Sequence, residues 1–363
     1  MTVTLDDVAK KAGVSAKTIS RVVNGEKDVS DETRKKILSI IDQMDYVPHA
    51  QAQHLASGKS RSIALLYPLS NPGLFSERLE MNFISGIAIG AAEENYYFTL
   101  LTGEITPQEL KRLCRSSIAD GLILMQVAMD DWRVEVLNKL HFPYVLIGRC
   151  QDNKELSFID FDFENAVMDS YRHLVELGHK KIGMLSYPKV WRQAGLGPAI
   201  RAHRGFQNAV RQYAIEPIHI DTDLTVNEGY ASARQAIEQH SDLTAFIVVH
   251  NTIAVGTINA IQSLGKRIPD DYSIVGIALG TESDLIIPPL TAINWRGDQI
   301  GQQAAKIIIN KLNNKNAAVE QILVPHHLEI RSSTLKRDDL EKPGINPNAH
   351  RSRKNHDRAI NDQ

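Results

Sequence analysis

Three short stretches at the start of the chain place apolar residues at helical spacing. In residues 3–12, VTLDDVAKKA, the side chains Leu5, Val8, Ala9 and Ala12 fall on one face, the stripe of an amphipathic helix. Thr4 precedes it with Asp7 three positions on, the spacing of a capping box. Gly13 predicts the stop, because a tight turn needs the left-handed backbone that glycine adopts without steric cost. Val14 plugs the turn and Ser15 caps a second helix, AKTISRVVN, with Ile19, Val22 and Val23 inward and Ala16, Lys17, Ser20 and Arg21 outward. Asn24-Gly25 breaks the chain, and Ser30 caps a third helix, DETRKKILSIIDQMDY, that buries Ile37, Ile40, Ile41 and Met44.

Two short helices joined through a glycine turn and buttressed by a third make the helix-turn-helix layout. A major groove about 12 Å wide admits one helix, whose first turns meet base edges. Lys17 and Arg21 lie one turn apart on the outward face and can reach guanine edges or phosphates, while the helix starts offer backbone N–H groups to phosphate. The competing reading is a solvated surface helix with two ordinary basic residues. Charge does not choose between them, since residues 1–60 hold nine Lys and Arg against eight Asp and Glu. The pattern carries the case.

From Arg61 the texture changes. Apolar runs recur at SIALLYPL, YYFTLLT, GLILMQV, YVLIGR, KIGMLSY, AFIVVH and YSIVGIAL, with helical stretches such as ERLEMNFISGIAIGAAEENY between most of them. That alternation predicts parallel sheet with helices on both faces. The rhythm continues for longer than one doubly wound unit needs, so two lobes flanking a cleft fit better, with ligands beyond the carboxyl ends of strands. Residues just past the runs are therefore the candidates: Ser70-Asn71-Pro72 and Phe75, Arg149, the loop PKVWRQAGLGPAIRAHRGF, His250-Asn251, Ile277-Ala278 and, after PPLTAIN, Trp295.

Composition narrows the class. A hydrophobic content of 43% and a charged content of 23% describe a globular chain. The net charge of -2 says little about a small DNA-reading face on a larger body. Cys114 and Cys150 are the two cysteines; they make neither a disulfide framework nor a metal motif and read as reduced thiols of a cytoplasmic protein. The first residues lack an apolar signal core, and no run approaches the ~18 apolar residues of a membrane span. No nucleophile elbow, zinc-binding helix or dinucleotide fingerprint appears, which argues against an enzyme, and no cofactor is expected. Gly58-Lys59-Ser60 imitates the end of a phosphate loop, but Gln53 stands where its first glycine belongs.

VTLDDVAKKAGVSAKTISRVVNG, VSDETRKKIL and DYVPHAQAQHLASGKS closely resemble the head of the lac-repressor (LacI/GalR) family, without a gap through Ser60. The likeness continues over roughly residues 61–334 in LVELGHKKIGML, RAHRGF, TAFIVVHNTIAVG, GKRIPDDYSIVGI and IIPPLTAINW. It implies a helix-turn-helix domain over 1–47, a hinge helix and linker over 48–60, a two-lobed effector-binding and dimerisation domain over 61–335, and a polar, disordered tail over 336–363. The expected fold is an all-α head plus a two-lobed α/β domain of parallel sheets, like the periplasmic sugar-binding proteins, with three crossings between lobes near residues 161, 289 and 322. By the same resemblance Ala16, Lys17 and Arg21 read bases, and Thr4, Ser15, Thr18, Ser20, Asn24, Ser30 and His49 contribute to the DNA face, most of them by holding phosphates. Leu55 from each subunit of a homodimer wedges into the minor groove, where such apolar wedges kink the duplex; the alternative for Leu55 is a linker residue packed on the next domain.

The expected effector site comprises Phe75, Arg149, Arg201, Arg204, Leu224, His250, Asn251, Ala278 and Trp295. It departs from the family pattern. Relatives carry Asn-Asp where this chain has His250-Asn251, and an Asp where it has Ala278. The slot of the usual pocket arginine is Ala202, flanked by Arg201 and Arg204, and the often aromatic position 224 is Leu224. Two readings remain open: an anionic sugar held by Arg149 with Arg201 or Arg204 through bidentate geometry, or a neutral saccharide bonded to His250, Asn251 and Trp295. His179 reads as a helix-end residue, and His326-His327 as no metal site. The whole is expected to be a regulator, a repressor acting on double-stranded operator DNA as a dimer. The alternative is a transport solute-binding protein, which should have an export signal and no DNA head.

Overall fold

A computed structural model describes residues 3–23, 28–46, 60–67, 78–279, 283, 286–314 and 316–337. The head is three helices: α1 (Leu5–Ala12), α2 (Ala16–Val23) and α3 (Asp31–Gln43). The Thr4–Asp7 capping box is complete: Asp7 N donates to Thr4 Oγ1 at 3.3 Å, and Thr4 N to Asp7 Oδ2 at 2.9 Å. Gly13 stands at φ 70°, where α1 turns toward α2. Val8, Ala9, Ala12, Ile19, Val22, Ile37, Ile40 and Tyr46 form the core, with Val14, Val23, Ile41 and Met44 packed at its margin.

The larger part is two six-stranded sheets. The N-terminal lobe comprises β1 (Ser62–Tyr67), α4 (Arg78–Glu93), β2 (Tyr97–Thr102), α5 (Pro107–Arg115), β3 (Gly121–Leu124), α6 (Trp132–Leu140), β4 (Tyr144–Ile147) and β5 (Phe158–Phe161). The C-terminal lobe comprises α7 (Phe163–Glu176), β6 (Ile182–Ser186), α8 (Lys189–Gln193), α9 (Gly197–Tyr213), β7 (Ile218–Asp221), α10 (Val226–Gln239), β8 (Ala245–Val248), α11 (Asn251–Ser263), β9 (Ser273–Leu279) and β10 (Thr291–Asn294). The chain then returns through α12 (Gly297–Asn313) and β11 (Gln321–Val324) to the first lobe and ends in β12 (Leu328–Glu329) on the second. Strand orders are β11-β5-β4-β3-β1-β2 and β12-β10-β9-β8-β6-β7. Every pairing is parallel except that of β10 with β12. Central strands are buried throughout, as parallel strands under helices on both faces must be.

The crossings lie between β5 and α7 at residue 162, between β10 and α12 at 295–296, and between β11 and β12 at 325–327. The first meets the expectation. The other two fall several residues later than 289 and 322, because TAIN and QILV each finish a paired strand before leaving their sheet. In the N-terminal lobe α4 and α12 touch backbone to backbone at Gly301, where an added Cβ would lie 2.3 Å from Phe83 O. The expected start of a disordered tail at 336 also moves: Arg337 N donates to Leu177 O at 2.8 Å, so the ordered chain runs at least to that residue. Most of the expected hinge, 48–59, and residues 338–363 lie outside the described residues.

Candidate nucleic-acid interface and interlobe site

At the head, α2 begins at Ala16 with Ser15 ahead of it. Thr18 N donates to Ser15 Oγ at 3.2 Å, and the two hydroxyls meet at 2.9 Å. Ser30 Oγ accepts from Thr33 N at 3.4 Å at the start of α3. Thr4, Ser15 and Ser30 are thus helix-start caps, which puts the free N–H groups of three helix starts beside them. Lys17 is exposed, and Ala16, Thr18, Ser20 and Arg21 are half-buried on the same short helix. Asn24, His49, Leu55 and Phe75 lie outside the described residues.

Between the lobes lies a cavity of about 70 Å³ with an aromatic wall: Tyr67, Phe83, Tyr187, Trp191 and Trp295. Trp295, at the second crossing, is packed from both lobes. Its ring meets Phe83 edge-on at 5.0 Å and Phe163 edge-on at 5.0 Å, and it stacks on Phe161 at 5.4 Å. Tyr187 and Trp191 stack on each other at 5.5 Å and 11°, and supply the flat face that Leu224, also in the wall, does not. Gln126, Asp160 and His250 are among its polar members. His250 caps α11, its Nδ1 accepting from Thr252 N at 3.3 Å, so the neutral ring carries its proton on Nε2. Burial holds its pKa down to about 4. Asn251 opens α11, with a buried Oδ1 that has no hydrogen-bond partner. Ala278 lies within β9, with its side chain outside the described atoms.

The three arginines are not in that wall. Arg149, Arg201 and Arg204 instead line a second, polar pocket of about 270 Å³ with Gln151, Asn153, Glu164 and Gln321. Arg201 is buried, and its Nη2 donates to the backbone carbonyls of Arg149 at 2.7 Å and Cys150 at 3.1 Å. Arg204 Nη2 donates to Gln151 Oε1 at 2.9 Å. Both arginines belong to α9 and their acceptors to the other lobe, so they join the lobes. The bonding continues alongside: Gly197 N donates to Val127 O at 2.9 Å and Met129 N to Gly195 O at 2.8 Å, an antiparallel bridge around Ala128 and Leu196. The expectation that Arg201 or Arg204 faces a cleft ligand is therefore corrected, because their guanidinium groups are aimed at main-chain carbonyls and a glutamine across the lobe boundary.

Arg149 Nε lies 3.3 Å from Asp160 Oδ2, and its Nη2 3.8 Å from Asp162 Oδ1. Asp160, on β5, is 4% exposed. Burial pushes its carboxyl up to about 6, against the pull of Arg201 and Arg149. Tyr67, Phe83, Gln126, Asp160 and Tyr187 were not singled out from the sequence; Trp191 belongs to the candidate segment PKVWRQAGLGPAIRAHRGF, which was expected as a loop and forms α8 and the start of α9. Tyr67 and Tyr187 end apolar runs, where the strand-end rule could have found them; Phe83 sits inside a helix, where no sequence rule points inward to a cleft.

Other histidines have structural work. His179 is buried at the end of α7 between Thr244 Oγ1 at 2.9 Å and Leu335 O at 3.2 Å. His326 pairs with Asp169 at 3.0 Å, a carboxylate that sequence distance hid. Among the described residues no group of three or more His, Cys, Asp or Glu could hold a metal, and no helix is long and apolar enough to cross a membrane.

Residues 4–49 match bacterial regulatory proteins of the lacI family, and residues 171–334 match the periplasmic binding protein-like domain. The chain belongs to the lacI family of bacterial regulatory proteins. As a member it is a DNA-binding transcriptional regulator. Similar proteins include the transcriptional regulator AglR of Rhizobium meliloti, 29% identical over 92% of this chain and 95% of the relative. Catabolite control protein A of Priestia megaterium is 28% identical over 92% of this chain and 100% of the relative. Among solved structures, the lac repressor dimer bound to operator and an anti-inducer is 26% identical, with a TM-score of 0.79 over 92% of this chain and 100% of that one. That agreement extends the match across the head and both lobes.

Proposed function

We propose that this family member is a repressor that binds a pseudo-palindromic operator as a homodimer and is controlled by a small carbohydrate effector in the interlobe cleft. The observation that carries the reading is the aromatic cleft, lined at its crossing by Trp295 and built from both lobes of a chain whose head is a helix-turn-helix. Flat aromatic faces suit the C–H faces of a pyranose, and the few polar groups among them fix orientation. The domain division is placed at 1–47, 48–60 and 61–337, with the polar tail after it. Lys17 and Arg21 carry base choice, with a methyl contact from Ala16. Thr4, Ser15, Thr18, Ser20, Asn24, Ser30 and His49 flank the phosphates, and Leu55 enters the minor groove. In the cleft Trp295, Leu224, His250 and Asn251 meet the effector, with Phe75 and Ala278 beside them and Arg149 acting behind Asp160. The protein works in the cytoplasm, and no catalytic step is assigned to it.

Effector and DNA then oppose each other through one coupling energy, whichever binds first. The test is selection of bound duplexes from random DNA by the full chain, followed by release with a panel of sugars. An enriched inverted repeat that a sugar releases supports the reading. Enrichment of a single, unrepeated half-site overturns the dimer, and sugar-tightened binding overturns the sense of control. Lys17→Ala should cost the selected site about 1–3 kcal/mol and random DNA much less; equal losses make Lys17 a phosphate contact only.

A further inference from the structure

The sequence lacks acidic residues at 251 and 278, where the family pattern places carboxylates for sugar hydroxyls, yet the cleft contains a carboxylate. We propose that Asp160, on β5 of the opposite lobe, is the hydroxyl acceptor of the effector site and commits the cleft to an uncharged saccharide. The proposal rests on the reading of the cleft as a carbohydrate site.

Asp160 lines the cavity and is almost completely buried. Its Oδ1 accepts from Phe161 N at 2.9 Å. Its Oδ2 is buried without a hydrogen-bond partner; Arg149 Nε, at 3.3 Å, offers charge without an aligned N–H. A carboxylate can accept about four hydrogen bonds, and leaving an ionised one short of donors inside a protein is costly. A sugar diol supplies two O–H donors at the spacing of a carboxylate edge. Nearby, Trp295 Nε1 is also buried with no partner, an indole donor suited to a ring or hydroxyl oxygen. The Tyr187–Trp191 stack and the Trp295 ring supply flat walls for the apolar faces of the same ligand.

The charges near Asp160 are Arg149, Arg201 and Asp162. Arg149 already faces Asp160 and Asp162, and Arg201 is spent on two carbonyls. No guanidinium lines the cavity among its described residues, so a phosphate or carboxylate on the ligand would meet Asp160 unopposed. This separates the cleft from an anionic-sugar site.

The experiment is calorimetric titration of the full chain with aldoses, their disaccharides, the corresponding 6-phosphates and uronates. The tightest ligand is then measured again with its monodeoxy analogues on Asp160→Asn. Uncharged sugars should bind and their charged counterparts should not. Asp160→Asn should weaken binding about 10- to 100-fold, the range for a charged hydrogen bond. One deoxy analogue should show no further loss on the variant, a coupling that a merely structural residue would not produce. In the unaltered chain affinity should fall as the pH drops through about 6, a readout independent of whether the variant folds. Preference for a 6-phosphate or uronate, or the same loss for every deoxy analogue on the variant as on the unaltered chain, overturns Asp160 as acceptor while leaving a carbohydrate cleft in place. Failure of every saccharide overturns the carbohydrate reading itself.

Discussion

Replacing Arg201 with methionine separates a bridging role from an anion-binding one. The variant keeps the aliphatic bulk of the side chain and removes both Nη2 bonds to the carbonyls of Arg149 and Cys150. Hydrogen bonds from a charged donor are worth about 1.5–3 kcal/mol each, so the gross loss is about 3–6 kcal/mol. Part returns, because burial of the guanidinium is itself unfavourable and lowers its pKa. A net loss of about 2 kcal/mol from the lobe-to-lobe contact corresponds to about 30-fold in a closure equilibrium. Since a ligand that needs closed lobes binds in proportion to the closed fraction, affinity for every effector should fall by up to that factor. Small-angle scattering should show a larger radius of gyration for the ligand-free variant. Calorimetry with neutral and charged sugars checks the first part. If only charged ligands lose affinity and the scattering curve is unchanged, Arg201 binds an anion and the bridging argument is wrong.

Gly301→Ala places a Cβ 2.3 Å from Phe83 O and 2.9 Å from Ile87 N; forcing α4 and α12 apart should cost about 1–3 kcal/mol, visible as a lower Tm, and an unchanged melt would show that the helices separate freely. Acid should destabilise the chain between pH 6.5 and 4. His179, His219 and His250 are each held at about 4 by burial, so their contribution is present above the unfolded value of 6.5 and lost as pH falls toward 4. Asp160 works the other way, raised from 3.8 to about 6, with stability present below 3.8 and lost as pH rises through 6. From these four groups, unfolding near pH 5 should take up a net of about two protons, a slope of about 2–3 kcal/mol per pH unit. Urea melts across that range measure it, Asp160→Asn should steepen it, and a flat profile would mean these groups titrate normally.

The head was legible almost to the residue, because capping, a glycine turn and apolar spacing are local signals and all agree there. In the lobes, runs such as SIALLY and AFIV announced themselves, since strands buried on both faces read as continuous apolar blocks. FIDF did not, although all four residues are buried, because an aspartate in the middle imitates a loop. That same aspartate is the cleft carboxylate. IHID was hidden similarly by His219 and Asp221, whose partners, His203 and Arg192, lie on other elements. Arg201 and Arg204 were read as part of a loop, whereas they stand on α9 and bond across the lobe boundary: sequence reports that a charge flanks a pocket position, and not which way a helix turns it. Asp169 beside His326, 157 positions away in the chain, could not have been seen without the fold.

The protein contains three tryptophans, and two of them, Trp191 on the C-terminal lobe and Trp295 at a crossing between the lobes, stand in the wall of the cleft. The third, Trp132, is 40% exposed at the start of α6. Intrinsic emission is therefore dominated, among its responsive part, by residues whose surroundings change when the lobes part or a ligand enters. Trp295 touches aromatic rings from both lobes, so opening must part it from at least one of them and change the polarity around the indole. The chain carries its own optical gauge of occupancy and closure, readable in an unlabelled sample and assignable by replacing Trp132 with phenylalanine.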